Sequence, residues 1–397
     1  MSDGTLQTLD ITMLDDVGTG ANKLIQLDSN AKIPACSGAA ITGLSSVTKN
    51  ASDPAIGTNP SGGVGSVWQN TISGEMYICT DATAGSNVWT NIGAGSGDVA
   101  PAYWVGKNYG YMMGAAPGPL VNVIQKFSFT SSSDAVDVAD MTWSRGFLTG
   151  NSSATYGYAS GGGTSTPGQN LNVIDKHQFG TTNNSTDVGD LLAGKQSLAG
   201  ANSETYGFLA GGYPANNTVQ KISFSTDGNT KDHGELTGTR SAGCGMNSET
   251  HGYNSGGSGA SQQRDKYAFA SNVTAVDDGD HFAGHHSYAN GISSGTHGYV
   301  VGGNISGAGG SDVIDKFSFA AGGDSTDVGD LTNAGYQGAG VSQTDYGYKG
   351  GTNGTPDNNR IEKFTFASDN DSVDTGNSML TQGSANQSCA YGASAQY

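Results

Sequence analysis

Apolar and polar residues alternate along most of this chain with a period of two. Ile124, Phe127 and Phe129 flank the polar pair Lys126 and Ser128, and Ile314, Phe317 and Phe319 do the same around Lys316 and Ser318. Alternation of this kind places the aromatic rings on one face of a β-strand. The pattern belongs to a larger unit: Tyr206-Gly207-Phe208-Leu209-Ala210-Gly211-Gly212, then a short variable loop, then Gln220-Lys221-Ile222-Ser223-Phe224, then Lys231-Asp232-His233-Gly234-Glu235-Leu236. The unit recurs six times between about residues 105 and 380. Its aromatic-flanked glycines stand at Gly110, Gly157, Gly207, Gly252, Gly298 and Gly347. Its lysines are Lys126, Lys176, Lys221, Lys266, Lys316 and Lys363, and its acidic turns begin at Asp137, Asp187, Asp232, Asp277, Asp327 and Asp374. No stretch of helical periodicity interrupts these repeats.

A period in the high forties with four short strands predicts one blade of a β-propeller, so the expected fold is all-β with a six-bladed propeller over residues 105–397. The expected strands end in Asn-Ser, carry the Tyr-Gly-Tyr and Gly-Gly pattern, carry the lysine and its aromatics, and carry the acidic-Gly turn. The chain enters the repeats at the second of these and ends past Ser384-Ala385-Asn386-Gln387-Ser388. That last stretch is expected to supply the missing first strand and so to cover an edge.

The Gly-Gly doublet followed by an aromatic strand resembles kelch-type repeats, which implies a kelch-like propeller. The kelch tryptophan is represented only by Trp143. Ser185-Thr186-Asp187-Val188-Gly189 and Ser325-Thr326-Asp327-Val328-Gly329 resemble the Asp-box turn of sialidases, a structural turn in that family.

The first hundred residues read differently. Short alternating stretches such as Leu24-Ile25-Gln26-Leu27-Asp28 are separated by Gly and Asn turns, and residues 1–60 are too poorly apolar to form a core alone. Asn22–Pro34 followed by Gly38–Leu44 resembles a segment of bacteriophage tail-fibre and other virion appendage proteins. The resemblance implies a virion attachment and oligomerisation segment over 1–60, usually trimeric. Residues 61–95 read as a small β module of three strands with a turn near Ser73-Gly74, similar to a module recurrent in phage structural proteins. Trp68 and Trp89 are read as its core in preference to a sugar-stacking pair. Residues 96–104 are a linker.

The formal net charge is −18, with −6 in residues 1–100 and −12 in the remainder. Phosphate backbones need clustered Lys and Arg, so nucleic-acid binding is excluded as an expectation, and docking on an anionic membrane is disfavoured. Cys36, Cys79, Cys244 and Cys389 are scattered, which predicts neither a disulfide framework nor a zinc site. Neither a signal peptide nor an apolar run of membrane-spanning length is read from the chain.

Candidate chemistry is sparse. His281, His285 and His286 are the densest ligand-like cluster and weak metal candidates. His285 stands in register with Arg145, Lys195 and Arg240, a position read as polar blade surface. Asp134, Asp137 and Asp140, and Asp369, Asp371 and Asp374, are read as acceptors within turns in preference to calcium ligands. The repeated lysines are expected to lie along the aromatic face or to pair with these acids. No arginine cluster is read from the chain, so no catalytic set and no cofactor are expected. Loops at 164–172, 213–218, 304–312 and 352–359 vary most, and Tyr213 is the one exposed-looking aromatic among them, a weak binding candidate.

The expected function is that of a phage virion structural protein, a tail fibre or similar appendage. Its partners would be other virion proteins through residues 1–60 and a host-surface polysaccharide or protein receptor at the propeller, in a homotrimer assembled in the bacterial cytoplasm. The alternatives are an architectural capsid or tail decoration protein and a glycan-cleaving depolymerase or sialidase-like enzyme.

Overall fold

The computed structural model describes residues 47–92, 106, 108–114, 120–166, 169–258, 262–272, 274–282, 286–305, 309–353, 359–380 and 391–394, with the backbone alone at 286 and 391–394. The chain divides into two units, Met1–Pro101 and Ala102–Tyr397. All regular structure in the described residues is β-strand.

In the first unit, β1 (Val47–Asn50) runs parallel to β2 (Val67–Asn70). β3 (Met76–Asp81) and β4 (Val88–Asn91) continue the sheet in antiparallel order. Alternation along β2 and β3 puts Trp68, Tyr77 and Cys79 on one face, where they pack with Trp89. The two indoles meet edge to face with centroids 5.9 Å apart, the geometry favoured by ring quadrupoles. Both tryptophans are buried, so they form the core and cannot stack on a sugar. The sheet has four strands instead of three, because residues 47–60 join it. The Trp68 indole N–H donates to Ser52 O at 2.8 Å, and the Asn87 side chain donates to Ile56 O at 2.8 Å. β1 is exposed throughout and shows no alternation, so its sequence carries no strand signal. Residues 1–46, where most of the attachment segment was read, lie outside the described residues.

The second unit holds six antiparallel sheets, five of four strands and one of six. In spatial order the first sheet comprises Tyr391–Ser394, Tyr109–Met113, Val123–Ser128 and Val136–Asp140. The second comprises Thr149–Ser152, Tyr156–Ser160, Val173–Gln178 and Thr186–Asp190, and the third Ala199–Asn202, Tyr206–Ala210, Asn216–Ser223 and Lys231–Arg240. The fourth comprises Cys244–Asn247, His251–Ser255, Gln263–Ala268 and Val276–Asp280. The fifth comprises Asn290–Ser293, His297–Val301, Gly309–Ser318 and Thr326–Gly335, with short additions at His286–Ser287 and Asn304–Ile305. The sixth comprises Ala339–Ser342, Tyr346–Gly350, Arg360–Thr365 and Val373–Ser378.

The repeat chemistry explains each sheet. The second-strand glycine lies opposite a third-strand ring, as in the pairs Gly110 with Phe127, Gly298 with Phe317 and Gly347 with Phe364. A Cβ on Gly347 would stand 2.5 Å from Phe364, so the ring occupies the space a side chain would need. The repeated lysine covers the neighbouring tyrosine: Lys126 Nζ lies 4.5 Å from the Tyr109 ring centroid, and Lys176 Nζ 4.1 Å from that of Tyr156. Lys176 also pairs with Asp227 at 2.8 Å.

Successive sheets are joined by the same contacts at every step, and each series runs from the sixth sheet to the first. Apolar clusters lie between neighbouring sheets. One holds Tyr111 and Met113 of the first sheet against Leu148 and Phe179 of the second. Another holds Val341 and Tyr348 of the sixth against Met112 and Phe127 of the first. Backbone N–H groups link outermost strands: Ser185 to Asp140 O at 2.8 Å, Thr230 to Asp190 O at 2.8 Å, Ala275 to Glu235 O at 2.7 Å, Ser325 to Asp280 O at 2.7 Å, Ser372 to Asp330 O at 2.8 Å, and Ala135 to Ser378 O at 2.9 Å. The first strands also adjoin, with Gly200, Gly245, Gly291 and Gly340 each set against the glycine of the preceding first strand.

The strand that pairs with Tyr109–Met113 is Tyr391–Ser394, with Gly392 opposite Met112. The sequence placed it at Ser384–Ser388, which lies outside the described residues. Gly392 opposite Met112 takes the register that Gly200 holds opposite Leu209.

Candidate binding face

The polar residues that the repeats share are occupied by structural work. The residue before each lysine is buried and receives the chain leaving the preceding sheet. Asp175 accepts from Thr142 N and Oγ1 at 2.9 and 2.6 Å, and Asp265 accepts from Thr237 N and Oγ1, both at 2.8 Å. Gln220 accepts from Leu192 N at 2.9 Å, Asp315 from Phe282 N at 3.1 Å, Glu362 from Thr332 N at 2.7 Å, and Gln125 from Leu380 N at 2.8 Å. The last of these again runs from the sixth sheet to the first.

Arg145 and Arg240, read from sequence as surface positions, are fully buried. They pair with Asp175 at 2.9 Å and Asp265 at 3.0 Å. Burial pulls both guanidinium pKa values down while the partner carboxylates oppose it. Isolated, such charges would be costly inside a protein, and the carboxylate at hydrogen-bond distance is what makes the position tolerable. The acidic turns are also accounted for. Asp187, Asp232, Asp277, Asp327 and Asp374 each accept the N–H of the glycine two residues on, at 2.8–3.2 Å. Asp134 and Asp371 accept N–H groups of the adjacent sheet, from Ser378 at 2.8 Å and Asp330 at 3.0 Å.

His281 is buried, with Nδ1 3.2 Å from Ser255 Oγ. His286 lies in a short strand beside Asn304–Ile305, and His285 is outside the described residues. Among the described residues no group of three or more His, Cys, Asp and Glu side chains is placed to hold a metal ion. Cys79 and Cys244 are free and buried, and burial pushes the Cys244 thiol up to about 12.

One end of the six sheets carries what the repeats do not share. There the chain enters each first strand and leaves each second strand. Backbone bridges tie the two connections together at Gly146 with Gly163, Gln196 with Tyr213, Ser241 with Ser258 and Tyr336 with Asn353. The variable loops therefore share this end with the residues that open the first strands. Tyr213 is half exposed here, and Lys195 Nζ donates to Pro214 O at 2.5 Å.

The residue opening each first strand has an unusual backbone. Phe147, Ser197, Ala242, Tyr288 and Gln337 have φ of 56°, 55°, 59°, 57° and 64°. They account for five of the six non-glycine residues at positive φ among the described residues. This conformation costs about 1–2 kcal/mol for a residue with a Cβ. Four of the five N–H groups donate to the carbonyl of the counterpart one repeat earlier: Ser197 to Phe147 at 2.7 Å, Ala242 to Ser197 at 3.0 Å, Tyr288 to Ala242 at 2.7 Å and Gln337 to Tyr288 at 2.7 Å. Phe147 and Tyr288 open the second and fifth sheets, three steps apart in a series of six, yet their ring centroids lie only 6.0 Å apart.

Ser197, Ala242, Tyr288 and Gln337 of this series border a cavity of about 100 Å³. Its lining is Thr149, Ser197, Cys244, Tyr288, Asn290 and Gln337, together with Gly, Ala and Leu. Thr149 Oγ1 donates to Leu198 O at 2.6 Å and Asn290 Nδ2 to Gln337 O at 2.9 Å. The Ser197 hydroxyl is buried and has no hydrogen-bond partner among the described residues. Sequence reading missed these positions. Residue type gives no signal there, since the position carries Phe, Ser, Ala, Tyr and Gln in turn.

Neither the known protein-family models nor the curated proteins give a match to this chain.

Proposed function

We propose that the six sheets form a six-bladed, kelch-like propeller whose loop-bearing end binds a glycan on a host surface, carried by a phage virion appendage. The observation that carries the propeller is the repetition of one inter-sheet contact set at all six steps, including Ala135 with Ser378 and Gln125 with Leu380. The binding reading rests on how variation is distributed. Shared residues are consumed in strand pairing and inter-sheet bonds, while the residues that change from repeat to repeat gather at one end. Rigid scaffolds with variable loops at one end are how binding specificity is commonly carried. The appendage reading rests on the resemblance of Asn22–Leu44, which also motivates homotrimer formation through residues 1–60.

The test is a glycan array and a host-polysaccharide pull-down with the full chain, alongside an assay for released sugar. Saturable binding without sugar release is expected. Absence of binding to any surface polysaccharide would favour an architectural decoration protein, and release of oligosaccharides would favour a depolymerase.

A further inference from the structure

We propose that the cavity bordered by Ser197, Tyr288 and Gln337 is a subsite for one neutral hexose unit, held between the Tyr288 ring and the Ser197 hydroxyl. The proposal rests on the glycan-binding reading above and narrows it to a place and a ligand chemistry.

The first argument is conformational. Positive φ in this chain is otherwise given to glycine, as at Gly161, Gly162, Gly211 and Gly212, and Asp227 is the one further exception among the described residues. Glycine at 147, 197, 242, 288 and 337 would make the same backbone hydrogen bonds without steric cost. The side chains kept there, two of them aromatic, are therefore not required by the fold. Strained side chains gathered at one cavity are a signature of binding sites.

The second argument is chemical. A buried hydroxyl without a partner is a standing cost that a ligand hydroxyl removes. The Tyr288 ring offers an apolar surface to the C–H face of a pyranose, and a few convergent polar groups in an otherwise apolar hollow are the usual composition of a small-ligand site. The described lining has no Lys, Arg, Asp or Glu. It offers no counter-ion for a carboxylate or phosphate, and the net charge of −18 disfavours an acidic sugar further. The cavity is small, about 100 Å³. A terminal sugar ring therefore enters in part, and the rest of the glycan lies over the loops.

The test uses the full chain in calorimetric titration with glucose, galactose, mannose and N-acetylglucosamine, and with glucuronic and N-acetylneuraminic acids as acidic counterparts. Ser197→Gly and Tyr288→Gly remove the side chains while suiting the backbone, so both variants should melt at or above the parent temperature. At least one neutral sugar should bind, and each variant should weaken it about tenfold, the loss expected for one buried hydrogen bond or one aromatic contact. Unaltered affinity in both variants would overturn the subsite while leaving glycan binding by the loops intact. Binding confined to the acidic sugars would overturn the neutral-ligand claim. A lowered melting temperature in the glycine variants would show that the side chains serve the fold, which also overturns it. If no free sugar and no arrayed glycan binds, the subsite and the glycan reading fall together.

Discussion

At the residue scale, the buried third-strand position before each lysine joins each sheet to the one before it. Where that residue is Asp175 or Asp265, a buried arginine balances it, and where it is Gln125 or Gln220 no charge needs balancing. Asp315 is buried like its counterparts, yet its Oδ1 has no hydrogen-bond partner among the described residues. Burial pushes its pKa from 3.8 to about 7, with Asp327 adding to the rise and the Phe282 N–H and Arg264 opposing it. The folded chain therefore keeps a proton that the unfolded chain gives up between about pH 4 and pH 7. Stability from this group falls as pH rises through that window and is level on either side. Asp315→Asn retains an acceptor for Phe282 N–H and abolishes the titration. Its urea midpoint relative to the parent should rise from pH 4 to pH 7 and then hold. A difference independent of pH would contradict the assignment.

At the element scale, the first strands approach so closely that glycine is required. A Cβ on Gly245 would overlap Gly200 O, and one on Gly291 would overlap Gly245 O. These obstacles are backbone atoms and cannot rotate away. Gly245→Ala should cost about 1–3 kcal/mol or more, whereas Gly295→Ala, which meets nothing within 4 Å, should stay within about 0.5 kcal/mol of the parent. Chemical denaturation of the two variants distinguishes a close-packed centre from a general intolerance of alanine.

Strands of this kind were legible in the sequence because identity marks them: an aromatic opposite a glycine, a lysine over a tyrosine, an aspartate two residues before a glycine. Other features leave no such mark. β1 has four exposed residues and no alternation, and it is placed by pairing with β2. Arg145 and Arg240 look like surface residues until Asp175 and Asp265, 30 and 25 residues on, are brought beside them. Phe147, Ser197, Ala242, Tyr288 and Gln337 share a backbone conformation and no chemistry, so the repeat is invisible at that position to any reading of residue type.

At the scale of the whole molecule, the second unit stands on six near-equivalent apolar clusters, each between neighbouring sheets. Five follow from chain order. The sixth, between the last sheet and the first, brings residues such as Ala135 and Met379 together from opposite ends of the repeats. The strand Tyr391–Ser394 completes that junction and covers the edge that Tyr109–Met113 would otherwise present. Open edges invite pairing with other chains, and this pairing covers one.

The measurement that tests this account most directly is hydrogen exchange in the intact chain, followed at Tyr109–Met113 and Tyr391–Ser394. The account predicts that amides in both strands are protected and open together with the first strands of the other sheets, since sub-global opening follows cooperative units. Rapid exchange at Tyr391–Ser394, with Tyr109–Met113 protected only where it faces Val123–Ser128, would contradict closure. It would leave six stacked sheets with a free edge in place of a propeller.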